Sequence, residues 1–195
     1  MTPADELLFN SAIEVTKDRA SKYASSLSQD LSSREDNIAK QVFIENSSLK
    51  SKLGKVYKLV DELGEAATPF TACKRGCSAC CKMNASISSM EAEQIALYSS
   101  KKLNQLKQTI VHEIGHFSGV ACPFLTDNAC SIYKIRPYVC RANVSFDTTS
   151  YWCEPERAYD VEFHKVEFSG AKLAYRAVHE KASNVIYADI RDFFS

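Results

Sequence analysis

Cysteine is the residue type in this chain best able to do chemistry, and its placement is uneven. The first 72 residues contain none, Cys73, Cys77, Cys80 and Cys81 fall within nine residues, and Cys122, Cys130, Cys140 and Cys153 follow at intervals of eight to thirteen. Thiolates bind soft and borderline metals, and a loop that presents several sulfurs together lowers the entropic cost of assembling a site. Cys73, Cys77 and Cys80 form such a trio, with Gly76 and small neighbours letting the backbone wrap. The other five cysteines are candidates to complete the coordination. Eight cysteines in 195 residues are too few for a disulfide-built scaffold. The start, Met1-Thr2-Pro3-Ala4-Asp5-Glu6, has neither the basic region nor the apolar run of an export signal. The thiols are therefore expected to be reduced, in a cytoplasmic setting, and used as metal ligands.

Two metals suit this pattern. Eight thiols could make two four-thiolate zinc sites, or one iron-sulfur cluster with further thiols in support. The Cys-x3-Cys-x2-Cys spacing with an outside fourth thiolate suits a 4Fe-4S cluster, and iron is slightly favoured over zinc. Cys81 is the least certain ligand geometrically, because the side chains of adjacent residues diverge. Arg136 and Arg141 are candidates to stabilise the negative charge of a thiolate site. The same trio spacing occurs in radical S-adenosylmethionine enzymes, but the strand-helix alternation of their barrel is absent from this sequence.

His112-Glu113-Ile114-Gly115-His116 fits H-E-x-x-H. On a helix its two imidazoles would share a face and bind zinc, with Glu113 as general base of a peptidase. So short a pattern arises readily by chance, and this reading ranks below the cysteine centre. His164 and His179 have no partner pattern and read as surface or half-buried residues.

The run Cys77-x-x-Cys80-Cys81, then Cys122-Pro123-Phe124-Leu125, then Cys130-x-Ile132-Tyr133-x-x-Arg136-Pro137-x-x-Cys140-Arg141 resembles the YkgJ-type cysteine-cluster family, described as zinc- or iron-chelating domains. The resemblance covers about residues 70 to 155, and Cys73 and Cys153 fall where that family supplies further cysteines. It implies a metal-thiolate centre without an established common reaction. Some larger relatives are flagellin lysine methylases, which brings in S-adenosylmethionine as a cofactor and methyl transfer as an alternative function. No Gly-rich loop to hold that cofactor is visible.

The elements that must position these residues follow from periodicity. Pro3 to about residue 31 reads as one amphipathic helix, and Ser32-Ser33-Arg34-Glu35 as a capping box opening a second, whose stripe runs from Ile38 to Leu63. Lys52, Lys55 and Lys58 on that helix read as a solvated face. Met83, Ala85 and Ile87 alternate like a short strand, and Ser88-Ser89-Met90-Glu91 is a second capping-box signature, opening a helix over about 89 to 114 with Ser99-Ser100 as a point of interruption. Val120–Leu125 and Cys130–Tyr133 read as strands around the turn Thr126-Asp127-Asn128-Ala129, Pro137 as the start of a brief helix carrying Cys140, residues 143–154 as loop, and about 170 to 193 as a closing helix. Tyr133, Tyr138 and Trp152 could shield the centre.

The fold class expected is α+β, predominantly helical, with an N-terminal helical hairpin (1–69) and a cysteine-cluster domain with its closing helix (70–195), together one compact unit. Twenty-four basic side chains balance 24 acidic ones, so nothing favours nucleic acid or an anionic membrane as partner. No apolar run approaches the length of a membrane span. A protein partner, if there is one, is not specified.

Overall fold

The computed structural model describes residues 3–74, 76–158 and 165–194, with the side chains of residues 3–5 left aside. It is mostly helical with two small antiparallel sheets. The N-terminal part forms three helices, α1 (Pro3–Ser26), α2 (Gln29–Ile44) and α3 (Leu49–Ala67), rather than the hairpin of two. Serines make the extra breaks. The Ser28 hydroxyl accepts from Leu31 N at 3.2 Å and opens α2, and Ser48 does the same for Ser51 N to open α3. Ser32 consequently lies inside α2, and Glu35 caps a different helix. Its Oε1 accepts from Gly170 N at 2.6 Å and Ala171 N at 3.3 Å, at the start of α6 (Ser169–Glu180).

That contact seats α6 on α2 and α3. Val42, Leu53, Val56, Val60, Leu63, Ala171, Ala174 and Val178 form a fully buried core between the three helices. Lys52 is buried with them, contrary to a solvated lysine face, while Lys55 pairs with Glu45 at 2.6 Å.

A second core lies under the cysteine-bearing segments. β1 (Ser86–Ser88) pairs antiparallel with β4 (Tyr187–Asp189), Ile87 facing Ala188 in register. Ile87, Ala92, Ile95, Phe124, Ile190 and Phe194 close around them. The Ser88–Glu91 capping box forms as expected and opens α4, but α4 spans only Ser89–Ser99 and stops at Ser100, which adopts the left-handed conformation. Residues 101–123 continue as loop and turns. The expected closing helix is likewise divided, into α6, β4 and a short α7 (Ile190–Phe193) capped by Asp189.

The second hairpin is shorter than expected: β2 (Leu125–Thr126) pairs with β3 (Ala129–Cys130) across Asp127 and Asn128, both at positive φ, the two-residue turn favoured by the strand twist. Pro137 caps α5 (Tyr138–Ala142), the expected carrier of Cys140 and Arg141. No helix among the described residues is long and apolar enough to cross a membrane. His164 lies outside the described residues. His179 is buried, not half-exposed, with Nε2 at 3.0 Å from the Ser88 hydroxyl.

A Cβ at Gly170 would meet the Glu35 carbonyl oxygen at 2.0 Å, whereas one at Gly54 on exposed α3 surface would meet nothing within 4 Å. Gly170→Ala is therefore expected to destabilise the fold by about 1–3 kcal/mol in urea unfolding, and Gly54→Ala to stabilise it by up to about 1 kcal/mol. Equal effects at the two positions would refute the close α2–α6 seating.

Candidate metal centre

Six of the eight cysteines, Cys77, Cys80, Cys81, Cys122, Cys130 and Cys140, line one cavity of about 450 Å³. They arrive from separate segments with little regular structure. Gly76, at φ +90°, turns the first loop, and a single 3-10 turn over Ala79–Lys82 carries Cys80 and Cys81. Cys122 N donates to the Cys81 carbonyl at 2.8 Å, which ties the second segment to the first. Cys130 comes on β3 and Cys140 on α5. Cys73 and Cys153 do not line the cavity. They approach the buried Ser145 instead: its N–H donates to Cys73 Sγ at 3.4 Å, and its side chain hydrogen-bonds Cys153.

The sulfurs feel one another. Burial pushes the Cys140 thiol well up, and Cys80, Cys122 and Cys130 push it further. Burial also raises Cys122, Cys130 and Cys73, and takes Cys153 to about 11. Cys80 goes the other way, to about 6, chiefly because Cys81 hydrogen-bonds to it, and Cys81 rises in consequence. At Cys122 and Cys130 the backbone N–H two residues ahead, of Phe124 and Ile132, donates to the sulfur and favours its charged form. Crowded, half-buried thiols resist charging on their own. A cation that exchanges for their protons removes that resistance. No three His, Cys, Asp or Glu side chains among the described residues converge tightly enough to hold a single ion.

Residues 72–156 match a family model, CxxCxxCC, whose description is "Putative zinc- or iron-chelating domain". This segment is a CxxCxxCC domain. No curated protein and no solved structure matches the chain.

Two buried polar residues, neither assigned a place at the site from sequence, hold the walls of the CxxCxxCC domain. Arg191 on α7 donates to the carbonyls of Cys81 at 3.1 Å, Met83 at 3.1 Å and Val120 at 2.5 Å, and pairs with Asp189 at 2.9 Å. Glu91, 2% exposed, accepts from Tyr57 at 2.6 Å, Tyr175 at 2.7 Å, the Ser88 N–H and hydroxyl at 2.9 and 3.0 Å, and Tyr138 N at 2.8 Å, at the start of the helix that carries Cys140. Sequence offered only its capping-box role. Of the two arginines expected near the sulfurs, Arg136 lines the cavity, stacked 3.9 Å over Tyr133, and Arg141 turns away to pair with Asp61 and the carbonyls of Lys134 and Arg136. Tyr133 lines the cavity too, whereas Tyr138 stacks on Tyr175 at 4.5 Å and Trp152 meets Phe9 edge-on at 5.6 Å.

The His112–His116 segment is not helical, so its imidazoles do not share a helix face as a zinc peptidase requires. The rings stack at 4.4 Å, and His112 Nε2 is bound to Asp192 at 2.8 Å. Asn84 pins the turn by donating to Glu113 O and accepting from Phe117 N, each at 2.9 Å.

Burial and the Glu91 carboxylate hold the Tyr57 and Tyr175 phenols protonated, well above the usual tyrosine range. Their folded values lie above the unfolded ~10, so their stabilisation is complete below pH ~10 and falls as pH rises further, by about 1.4 kcal/mol per pH unit for each phenol. Urea unfolding between pH 9 and 11 should show a shallower fall in Tyr57→Phe/Tyr175→Phe than in the unaltered protein. At pH 7 the double variant should lose about 2–5 kcal/mol. Parallel pH profiles would count against the buried phenol-carboxylate contacts.

Proposed function

We propose that the CxxCxxCC domain holds an iron-sulfur cluster in the cysteine-lined cavity. The observation that carries this is that six cysteines from four segments line one cavity of about 450 Å³, room for more than a single ion. In a four-thiolate zinc site the sulfurs lie about 2.3 Å from one ion and crowd one another. An iron-sulfur cluster has a body of its own that separates its thiolates, and its Cys ligands come from a local run plus a distant residue. The donors fit: soft sulfurs from four segments, N–H groups aimed at two of them, and cationic side chains on the wall. Cys77, Cys80, Cys81, Cys122, Cys130 and Cys140 form the cavity ligand pool. Cys73 and Cys153, reaching Ser145 beside them, extend the set to eight. When bound, such a cluster supplies one-electron chemistry or an open iron site. The chain itself fixes the sulfurs, shields them and balances their charge.

Protein purified without oxygen and without added metal is expected to contain iron with matching acid-labile sulfide and a broad visible absorption, all lost together in Cys130→Ser/Cys140→Ser. Stoichiometric zinc without sulfide in colourless protein would overturn the cluster and leave a zinc-thiolate domain.

A further inference from the structure

The cavity wall carries charge of one sign only. Lys74, Lys134, Arg136 and Lys165 line it, and among the described residues no Asp or Glu does, in a chain whose total charge is balanced. The three lysines take part in no salt bridge among the described residues, while Arg136 is partly engaged by Asp61 at 3.2 Å and keeps a buried Nε without a partner. The lysines come from separate parts of the chain: Lys74 from the first cysteine loop, Lys134 from the 3-10 turn after β3, and Lys165 from the bridge to Ser145. The remaining lining is largely apolar, with Met83, Ile132, Val139 and Ile190 on one cavity surface.

Thiolates account for part of this positive charge. A centre that uses four of the six cavity thiolates carries about −2, against four cationic side chains on the wall. The volume, about 450 Å³, falls in the range of small-molecule sites, roughly 300–1,000 Å³, and is shared between the proposed centre and what lies beside it. We infer that the cavity takes a small organic anion, an apolar body bearing a carboxylate or phosphate group, beside the metal centre, with Lys134 and Lys165 as its charge partners. This rests on the metal-thiolate reading of the same cavity. The apolar lining receives the body, and the ammonium groups, which pair with no carboxylate among the described residues, receive the anion.

The test is calorimetric titration of the protein as purified, with metal content measured on the same sample. The probes are benzoate, phenyl phosphate and the neutral benzyl alcohol. Saturable binding of at least one anion, at least about tenfold tighter than the alcohol and weakened about tenfold or more in Lys134→Ala/Lys165→Ala at unchanged metal content, is the expected result. The stronger of the two anions identifies the group preferred. Absence of saturable anion binding, equal binding of the alcohol, or anion binding indifferent to the double variant would overturn the proposal and leave the lysines as counter-charges to the thiolates. Metal content separates the two readings. A wild-type protein without metal refutes the centre, and the same titration still decides the anion site.

Discussion

The buried carboxylate of Glu91 is the constraint on which the arrangement depends. An ionised group removed from water costs several kcal/mol unless its lone pairs are satisfied. Five donors satisfy this one: Tyr57 on α3, Tyr138 N on α5, Tyr175 on α6, and the N–H and hydroxyl of Ser88, which caps Glu91's own helix α4. None of these elements can shift without leaving charge or a donor unpaired. Removing one donor from such a carboxylate costs about 1.5–3 kcal/mol, more than the loss of an exposed ion pair. Because Tyr138 N is one of the donors, the position of Cys140 is set by the same carboxylate.

The network also explains how two cores behave as neighbours. Tyr57 and Tyr175 belong to the helical layer of α2, α3 and α6, whereas α4 packs Ala92 and Ile95 into the core beneath the cavity. Apolar contact alone would let these layers slide, since it is non-directional. Hydrogen bonds to one carboxylate fix the register. Arg141 adds to it by stacking 4.5 Å over Tyr57 while it pairs with Asp61. Its role is thus to brace the helix bearing Cys140, where sequence suggested a place among the sulfurs.

Several elements around the cysteines were legible because their signals are local. The Asp127-Asn128 turn, Pro137 before α5 and the Ser88–Glu91 capping box each act within a few residues, and each forms. The N-terminal breaks were hidden because the apolar stripe runs on through them, and only the serine caps interrupt the backbone. The loop after Ser99 was hidden for the opposite reason. Residues 101–123 have helical composition, but Leu103, Leu106 and Ile110 pack on the lower core as loop, and Ile110 N donates to Tyr187 O at 2.9 Å. Tertiary contact overrode propensity there. Glu35 looked like a cap for its own helix and instead caps α6, a partner about 135 residues away that no periodicity can reveal.

The cysteine-bearing segments have little secondary structure of their own, so something else must hold them in place. On the α5 side that support is Glu91. On the opposite side it is Arg191, whose guanidinium reaches the carbonyls of Cys81, Met83 and Val120, three points on two loops, while Asp189 balances its charge. A planar fork with several fixed donors does this better than an ammonium could. β4 delivers Arg191 there through its pairing with β1, and the adjacent Asp192 holds His112. The C-terminal segment, which lies outside the matched cysteine domain, is therefore part of the site's support: without it the Cys81 and Cys122 loops would keep their mutual hydrogen bond but lose the anchor that relates both to the sheet.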